Sequence, residues 1–158
     1  MYTFRKATEE EMSCLEKNGF SKLCSVYGLD CTDEKFALFF GKLITLFGEP
    51  YSTTDDYEDM YSYWVVAEDG QNKIYLEVYH GASGAAVGGK PFGISRKQEK
   101  IYTQAAGELI AFIESAEPSD YEWEGIYEDI PVNVKYAIKD GKAFIEYEYP
   151  AESEEDYE

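Results

Sequence analysis

Residues 121–149 read YEWEGIYEDIPVNVKYAIKDGKAFIEYEY. Tyr121, Trp123 and Tyr127 alternate with Glu122, Glu124 and Glu128. This period of two is that of a half-buried strand. Val132, Val134, Tyr136 and Ile138 repeat it, as do Ala143, Ile145, Tyr147 and Tyr149. Asp140-Gly141 lies between the last two runs, and Asp-Gly is a strong two-residue hairpin signal. The stretch therefore predicts an antiparallel meander with an aromatic side and an anionic side. It decides the fold class, because consecutive strands joined by tight turns cannot form a parallel sheet.

Upstream, Tyr61–Ala67 and Ile74–Tyr79 also alternate, and Glu68-Asp69-Gly70-Gln71-Asn72 reads as the turn between them. Phe36, Phe39, Phe40, Leu43 and Phe47 follow helical spacing, with Thr32 or Asp30 as cap and Gly48 and Pro50 as stop. Thr8 and Glu11 fit a capping box before Met12 and Leu15, with Asn18-Gly19 as the stop. Ser21–Tyr27 reads as a turn or two of helix, and Ser52–Asp59 as a polar loop. A glycine-rich connection, His80–Gly93, leads into a third clear helix over Ser95–Glu114, closed by Pro118. The expected order is ααββαβββ. That predicts an α+β domain over residues 1–150: a single antiparallel sheet of about five strands with three or four helices packed against it. Residues 151–158 read as a disordered acidic tail.

The 158 residues include 14 basic and 32 acidic side chains, for a net charge of −18. Residues 114–158 carry −12 of it. Direct binding to nucleic-acid phosphates or to an anionic membrane needs clustered Lys and Arg, so neither is expected. A basic protein partner is compatible with this charge. Apolar residues make up 44%, enough for a core. Cys14, Cys24 and Cys31 form no CxxC spacing, and an odd count favours reduced thiols. The basic pair Arg5-Lys6 runs into Glu9-Glu10-Glu11 with no apolar stretch behind it, unlike a secretory signal. Phe36–Phe47 is too short to span a bilayer. A cytoplasmic protein is expected. Fifteen tyrosines interleave with the acids, and tyrosine offers wide contact area at low entropic cost.

Candidate chemistry is sparse. Gly84-x-x-x-x-Gly89-Lys90 approaches a phosphate-binding loop. Pro91, however, stands where Ser or Thr should hold magnesium, and Pro91-Phe92-Gly93 delays the helix whose amides would cradle phosphate. His80 is the only histidine; Ser83 lies nearby without a nucleophile-elbow pattern. Asp55, Asp56, Glu58 and Asp59 lack the glycine and terminal glutamate of a calcium loop. No cofactor and no metal are expected, and the chain reads as non-enzymatic.

Leu46-Phe47-Gly48-Glu49-Pro50, then Asp55-Asp56-Tyr57-Glu58-Asp59, Tyr61-Ser62-Tyr63 and Leu76-Glu77-Val78-Tyr79-His80-Gly81-Ala82-Ser83-Gly84 share a style. A helix ending LFGEP, an acidic loop, two strands and a Gly-Ser-Gly turn resemble small bacterial immunity proteins of polymorphic and contact-dependent toxin systems. The resemblance covers about residues 36–90. It implies a small acidic α+β protein that neutralises a cognate toxin by binding it, often over the toxin's active site. Many such toxins are nucleases with cationic surfaces. On this reading Asp55, Asp56, Tyr57, Glu58, Asp59, Trp64, Glu122, Glu124 and Glu128 are the expected partner-binding residues. The alternatives are an acidic adaptor domain whose charge serves solubility, and a small-molecule enzyme using His80 and the glycine-rich loop.

Overall fold

A computed structural model describes residues 1–13, 21–28, 31–53, 60–81, 84–89, 96–127 and 132–149. Its elements are β1 (Thr3–Lys6), α1 (Glu9–Ser13), β2 (Ser21–Gly28), α2 (Asp33–Phe47), the two-residue β3 (Ser52–Thr53), β4 (Tyr61–Glu68), β5 (Lys73–Gly81), β6 (Gly84–Gly89), α3 (Arg96–Glu114), β7 (Tyr121–Tyr127), β8 (Val132–Lys139) and β9 (Lys142–Glu148). The strands form two antiparallel sheets. One runs β1-β4-β5-β6-β2, with β3 continuing the β1 edge along β4. The other is β7-β8-β9.

This corrects the expected single sheet and its order ααββαβββ. Strand outweighs helix, and the described helices are three, the first only five residues long. Ser21–Tyr27, expected as helix, is the edge strand β2, paired with β6 through two register shifts. The glycine-rich Gly84–Gly89, expected as a connection, is the buried strand β6. Ser52–Thr53, expected in a loop, pairs with β4. Thr3–Lys6 adds a strand for which no alternation was visible. The Asn18-Gly19 stop and the tail 151–158 lie outside the described residues.

Helix α2 explains why there are two sheets. Its aromatic stripe packs on the first sheet: Phe36 and Phe39 meet Tyr27 of β2 edge-on, Phe40 meets Tyr61, and Phe47 meets Tyr63. A second stripe, Ala37 and Gly41, faces the other sheet. There the Tyr121 hydroxyl donates to the Ala37 carbonyl at 2.9 Å and the Ser119 amide to that of Gly41 at 3.0 Å. A Cβ on Gly41 would lie 2.9 Å from Pro118 Cβ and 3.4 Å from Ile138 Cγ1. The helix is therefore a layer between two sheets, apolar on both sides. Thr32 occupies its N-cap with extended backbone, although its hydroxyl makes no capping bond. Gly48 ends it at φ 73°, its amide bonding Ile44. The buried Tyr63 hydroxyl donates to the Gly48 carbonyl at 2.8 Å.

Helix α3 lies against the first sheet beside α2, burying Ala105, Ala106, Leu109 and Ile113. At Gly89 the absent side chain leaves room for Tyr102 and Leu23, 3.2 and 3.3 Å from where a Cβ would stand. The Thr8–Glu11 capping box forms as expected: the Thr8 amide reaches Glu11 Oε1 at 2.9 Å, and the Glu11 amide reaches Thr8 Oγ1 at 3.2 Å. Arg5 grips the same carboxylate with two nitrogens at 2.7 and 2.8 Å, and Lys73 lies 3.3 Å away. These bonds hold the Glu11 carboxyl well below the usual carboxylate range, the Arg5 hydrogen bonds contributing most.

Candidate partner-binding face

The strand alternation of the meander is realised residue by residue. Val134, Tyr136 and Ile138 of β8 point inward and are buried, as is Val132. Ala143 and Ile145 of β9 and Tyr121, Trp123 and Tyr127 of β7 flank them, half-buried. The opposite face is directed away from α2. Three rows cross it: Glu122, Ala137 and Phe144; Glu124, Lys135 and Glu146; Ile126, Asn133 and Glu148. Lys139 and Lys142 complete it at the hairpin end.

The hairpin is held firmly. Asp140 and Gly141 both have positive φ, 54° and 76°, as a type I′ turn requires. Their amides donate to the two carboxylate oxygens of Asp120 at 3.1 and 3.3 Å. Asp120 thus ties the β8-β9 turn to the start of β7. Phe144 is 48% exposed and Ile126 51%. Large apolar groups on a solvated strand face contribute little to the core and are available for contact. A hollow of about 100 Å³ sits beside Phe144, lined by Lys135, Ala137, Lys139 and Glu146.

Electrostatically the face is mixed rather than purely anionic. Glu122, Glu124, Glu146 and Glu148 share it with Lys135, Lys139 and Lys142, the three cations of residues 114–158. Lys139 and Lys135 both approach Glu122 Oε1, at 3.4 and 3.7 Å. Exposed pairs of this kind are worth at most about 1 kcal/mol, but they set the pattern a partner meets. Lys139 and Lys142 lie at the hairpin end, Lys135 stands between Glu124 and Glu146 in the middle row, and Glu148 lies toward the far end.

The expected site residues do not form one patch. Glu122 and Glu124 lie on this face. Trp64 is half-buried on the side of β4 that faces away from α2, in register with Glu77 of β5. There the Ser62 hydroxyl bonds the Glu77 carboxylate. With α2 between the sheets, Trp64 and the two glutamates occupy opposite sides of the molecule. Asp55, Asp56, Tyr57, Glu58, Asp59 and Glu128 lie outside the described residues. His80, the residue an enzymatic reading would need, is 4% exposed and packs against Phe36 and Tyr61, with ring centroids 5.3 and 5.9 Å away.

Phe144 and Ile126 were missed by sequence reasoning, which assigned them to neither face of the meander. The signal was their parity: each shares the phase of the glutamates in its own strand. Among the described residues no group of three or more His, Cys, Asp and Glu side chains is placed to hold a metal ion. No described helix is long and apolar enough to cross a membrane. Compared with known protein families, with curated proteins and with solved structures, the chain matches none.

Proposed function

We propose that this protein is a non-enzymatic immunity or inhibitor protein that binds and neutralises a cognate toxin bearing a basic surface. The observation that carries the reading is the outer face of β7-β8-β9. It presents Phe144 and Ile126, both about half exposed, among Glu122, Glu124, Glu146 and Glu148. An apolar anchor within a charged surround is the anatomy of a protein-binding patch. The net charge of −18 adds long-range attraction for a cationic partner and raises the encounter rate. The acidic segment 55–59 and Glu128 belong to the same proposal through their charge.

The test is co-expression with the product of the adjacent gene, read as complex formation and as rescue from toxicity. Phe144→Ala is expected to weaken the complex by about 2 kcal/mol, roughly thirtyfold in Kd. Glu124→Lys is expected to slow association, with a smaller effect at high salt. A chain with no toxic neighbour, and no basic partner captured at low salt, would defeat the reading. Unchanged binding by both variants would move the interface elsewhere.

A second reading, an adaptor domain whose charge serves solubility, is favoured by one observation. The pairs of Glu122 with Lys135 and Lys139 already balance part of the face internally. Association indifferent to salt would support it over the first.

A further inference from the structure

The outer strand β9 is unusually exposed. Ala143 and Ile145 are half-buried, and its other residues are exposed. Phe144, Tyr147 and Tyr149, at 48%, 45% and 67%, put three large exposed rings within six residues. The strand pairs with β8 on one side, and among the described residues no strand pairs with it on the other. Its register with β8 is continuous, without a bulge, and no proline interrupts it. Natural edge strands are usually blunted by bulges, prolines or charged side chains, because an open edge is a template for another strand; β9 has only the last, Lys142, Glu146 and Glu148, and these are of both signs.

The hairpin determines which backbone groups that edge offers. A two-residue type I′ turn is closed by a hydrogen-bonded pair, here Lys139 and Lys142. Hydrogen-bonded and non-bonded pairs alternate from there. Lys142, Phe144, Glu146 and Glu148 therefore spend their amides and carbonyls on β8. Ala143, Ile145 and Tyr147 aim theirs at the open side.

We infer that β9 pairs with β9 of a second copy, antiparallel about a two-fold axis at Ile145, joining the two meanders into one continuous sheet. This register places Ala143 opposite Tyr147 of the second copy and Ile145 opposite its own copy, so every outward amide of the strand is used. The side chains agree with it. Lys142 falls opposite Glu148 of the second copy, twice by symmetry, in the non-bonded positions where cross-strand side chains come closest. Ile145 meets its twin on the inner side. On the other edge, β7, two of the three residues whose backbone faces outward are glutamates: pairing about Glu124 sets it against its own twin, and pairing about Trp123 sets Glu122 against Glu124 of the second copy, both like-charge contacts. An isologous contact of this kind closes at two chains. It stands apart from the toxin-binding reading, because the joined sheet leaves the face bearing Glu124 and Phe144 open and presents it twice.

The experiment is sedimentation equilibrium of the full chain up to about 0.5 mM, since a strand-edge contact is small and a dissociation constant near the micromolar range is expected. The expected species has twice the 18.0 kDa chain mass. Lys142→Glu and Glu148→Lys, both at exposed positions, are each expected to weaken the dimer about tenfold or more, because each turns two attractive pairs into repulsive ones. The double variant Lys142→Glu/Glu148→Lys is expected to recover it. Circular dichroism of each variant separates loss of pairing from loss of fold. A chain monomeric at every concentration overturns the proposal. So does a dimer indifferent to both single reversals. Rescue of Lys142→Glu by Glu146→Lys instead of Glu148→Lys would overturn the register.

Discussion

One substitution is expected to act with opposite sign in the two long helices. Replacing glycine by alanine in a helix interior gains about 1 kcal/mol, because the unfolded chain loses freedom and the helix buries no polar group. At Gly107 in α3 nothing lies within 4 Å of the added methyl, and the position is exposed. Gly107→Ala should therefore stabilise by up to about 1 kcal/mol. At Gly41 in α2 the same methyl would stand 2.9 Å from Pro118 Cβ and 3.1 Å from the Ser119 carbonyl oxygen. Neither neighbour is the end of a flexible side chain. Relief means pushing residues 117–119 away, which stretches the 3.0 Å bond from the Ser119 amide to the Gly41 carbonyl. It also strains the contacts of the Thr45 hydroxyl with the Glu117 carbonyl and the Ser119 hydroxyl, both 2.6 Å. Overpacking costs about 1–3 kcal/mol, and with a proline ring and backbone in the way the upper part of that range, about 2–3 kcal/mol, applies, so the net loss for Gly41→Ala is about 1–2 kcal/mol after the helix gain of about 1 kcal/mol. Urea unfolding reads both. With slopes of about 1–3 kcal/mol/M, midpoints should move by a few tenths of a molar or more, in opposite directions. Equal or raised stability for Gly41→Ala would refute the close approach of α2 to the second sheet.

Four further outcomes follow from particular contacts. Because the Glu11 carboxyl is held low when folded, its contribution is complete above the unfolded Glu value near pH 4.3 and is lost as pH falls toward the folded value. The stability gap between the native chain and Glu11→Gln should therefore narrow on acidification below about pH 4.3, and a gap that widens would reverse the sign. Asp120→Ala removes the acceptor of the Asp140 and Gly141 amides, and faster hydrogen exchange at those two amides is expected. Tyr63→Phe should cost about 1 kcal/mol in chemical denaturation, because the Gly48 carbonyl loses a buried donor. Gly84→Ala should be the most damaging: φ is +116° and the new Cβ would stand 2.1 Å from the Tyr27 carbonyl oxygen, so a loss above about 3 kcal/mol, or failure to accumulate soluble chain, is expected.

Local patterns carried much of this fold. The 36-39-40-43-47 stripe, the β4-β5 hairpin and the Asp140-Gly141 meander all formed where spacing placed them. What escaped was set by distant partners. Strand β2 has no helical or alternating pattern of its own; it is a strand because it lines the open side of β6. Strand β6 is poor in β-formers, and its glycines admit α3 and β2 closely, a property visible only once those neighbours are placed. The division into two sheets was written in Ala37 and Gly41, a small-residue stripe behind the aromatic one, but small residues alone do not say what they approach. As for the site, parity put Glu122 and Glu124 on the solvent side correctly. The same parity places Phe144 and Ile126 on the solvent side, where they are exposed, although the sequence reading assigned them to neither face.

The first sheet has a consequence for synthesis on the ribosome. Both of its outer strands come from the beginning of the chain: residues 3–6 wait for 65–68, and residues 21–28 wait for 84–89. At about 5–20 residues per second, β2 emerges several seconds before its partner strand. The meander has no such delay, because each of its strands pairs with the next. Order of emergence and order of pairing thus run in opposite directions: the segments made first are stitched in only when the middle of the chain arrives. Slow translation before residue 89 would prolong the interval in which two early strands stand unpaired, and any kinetic sensitivity of this protein should concentrate there.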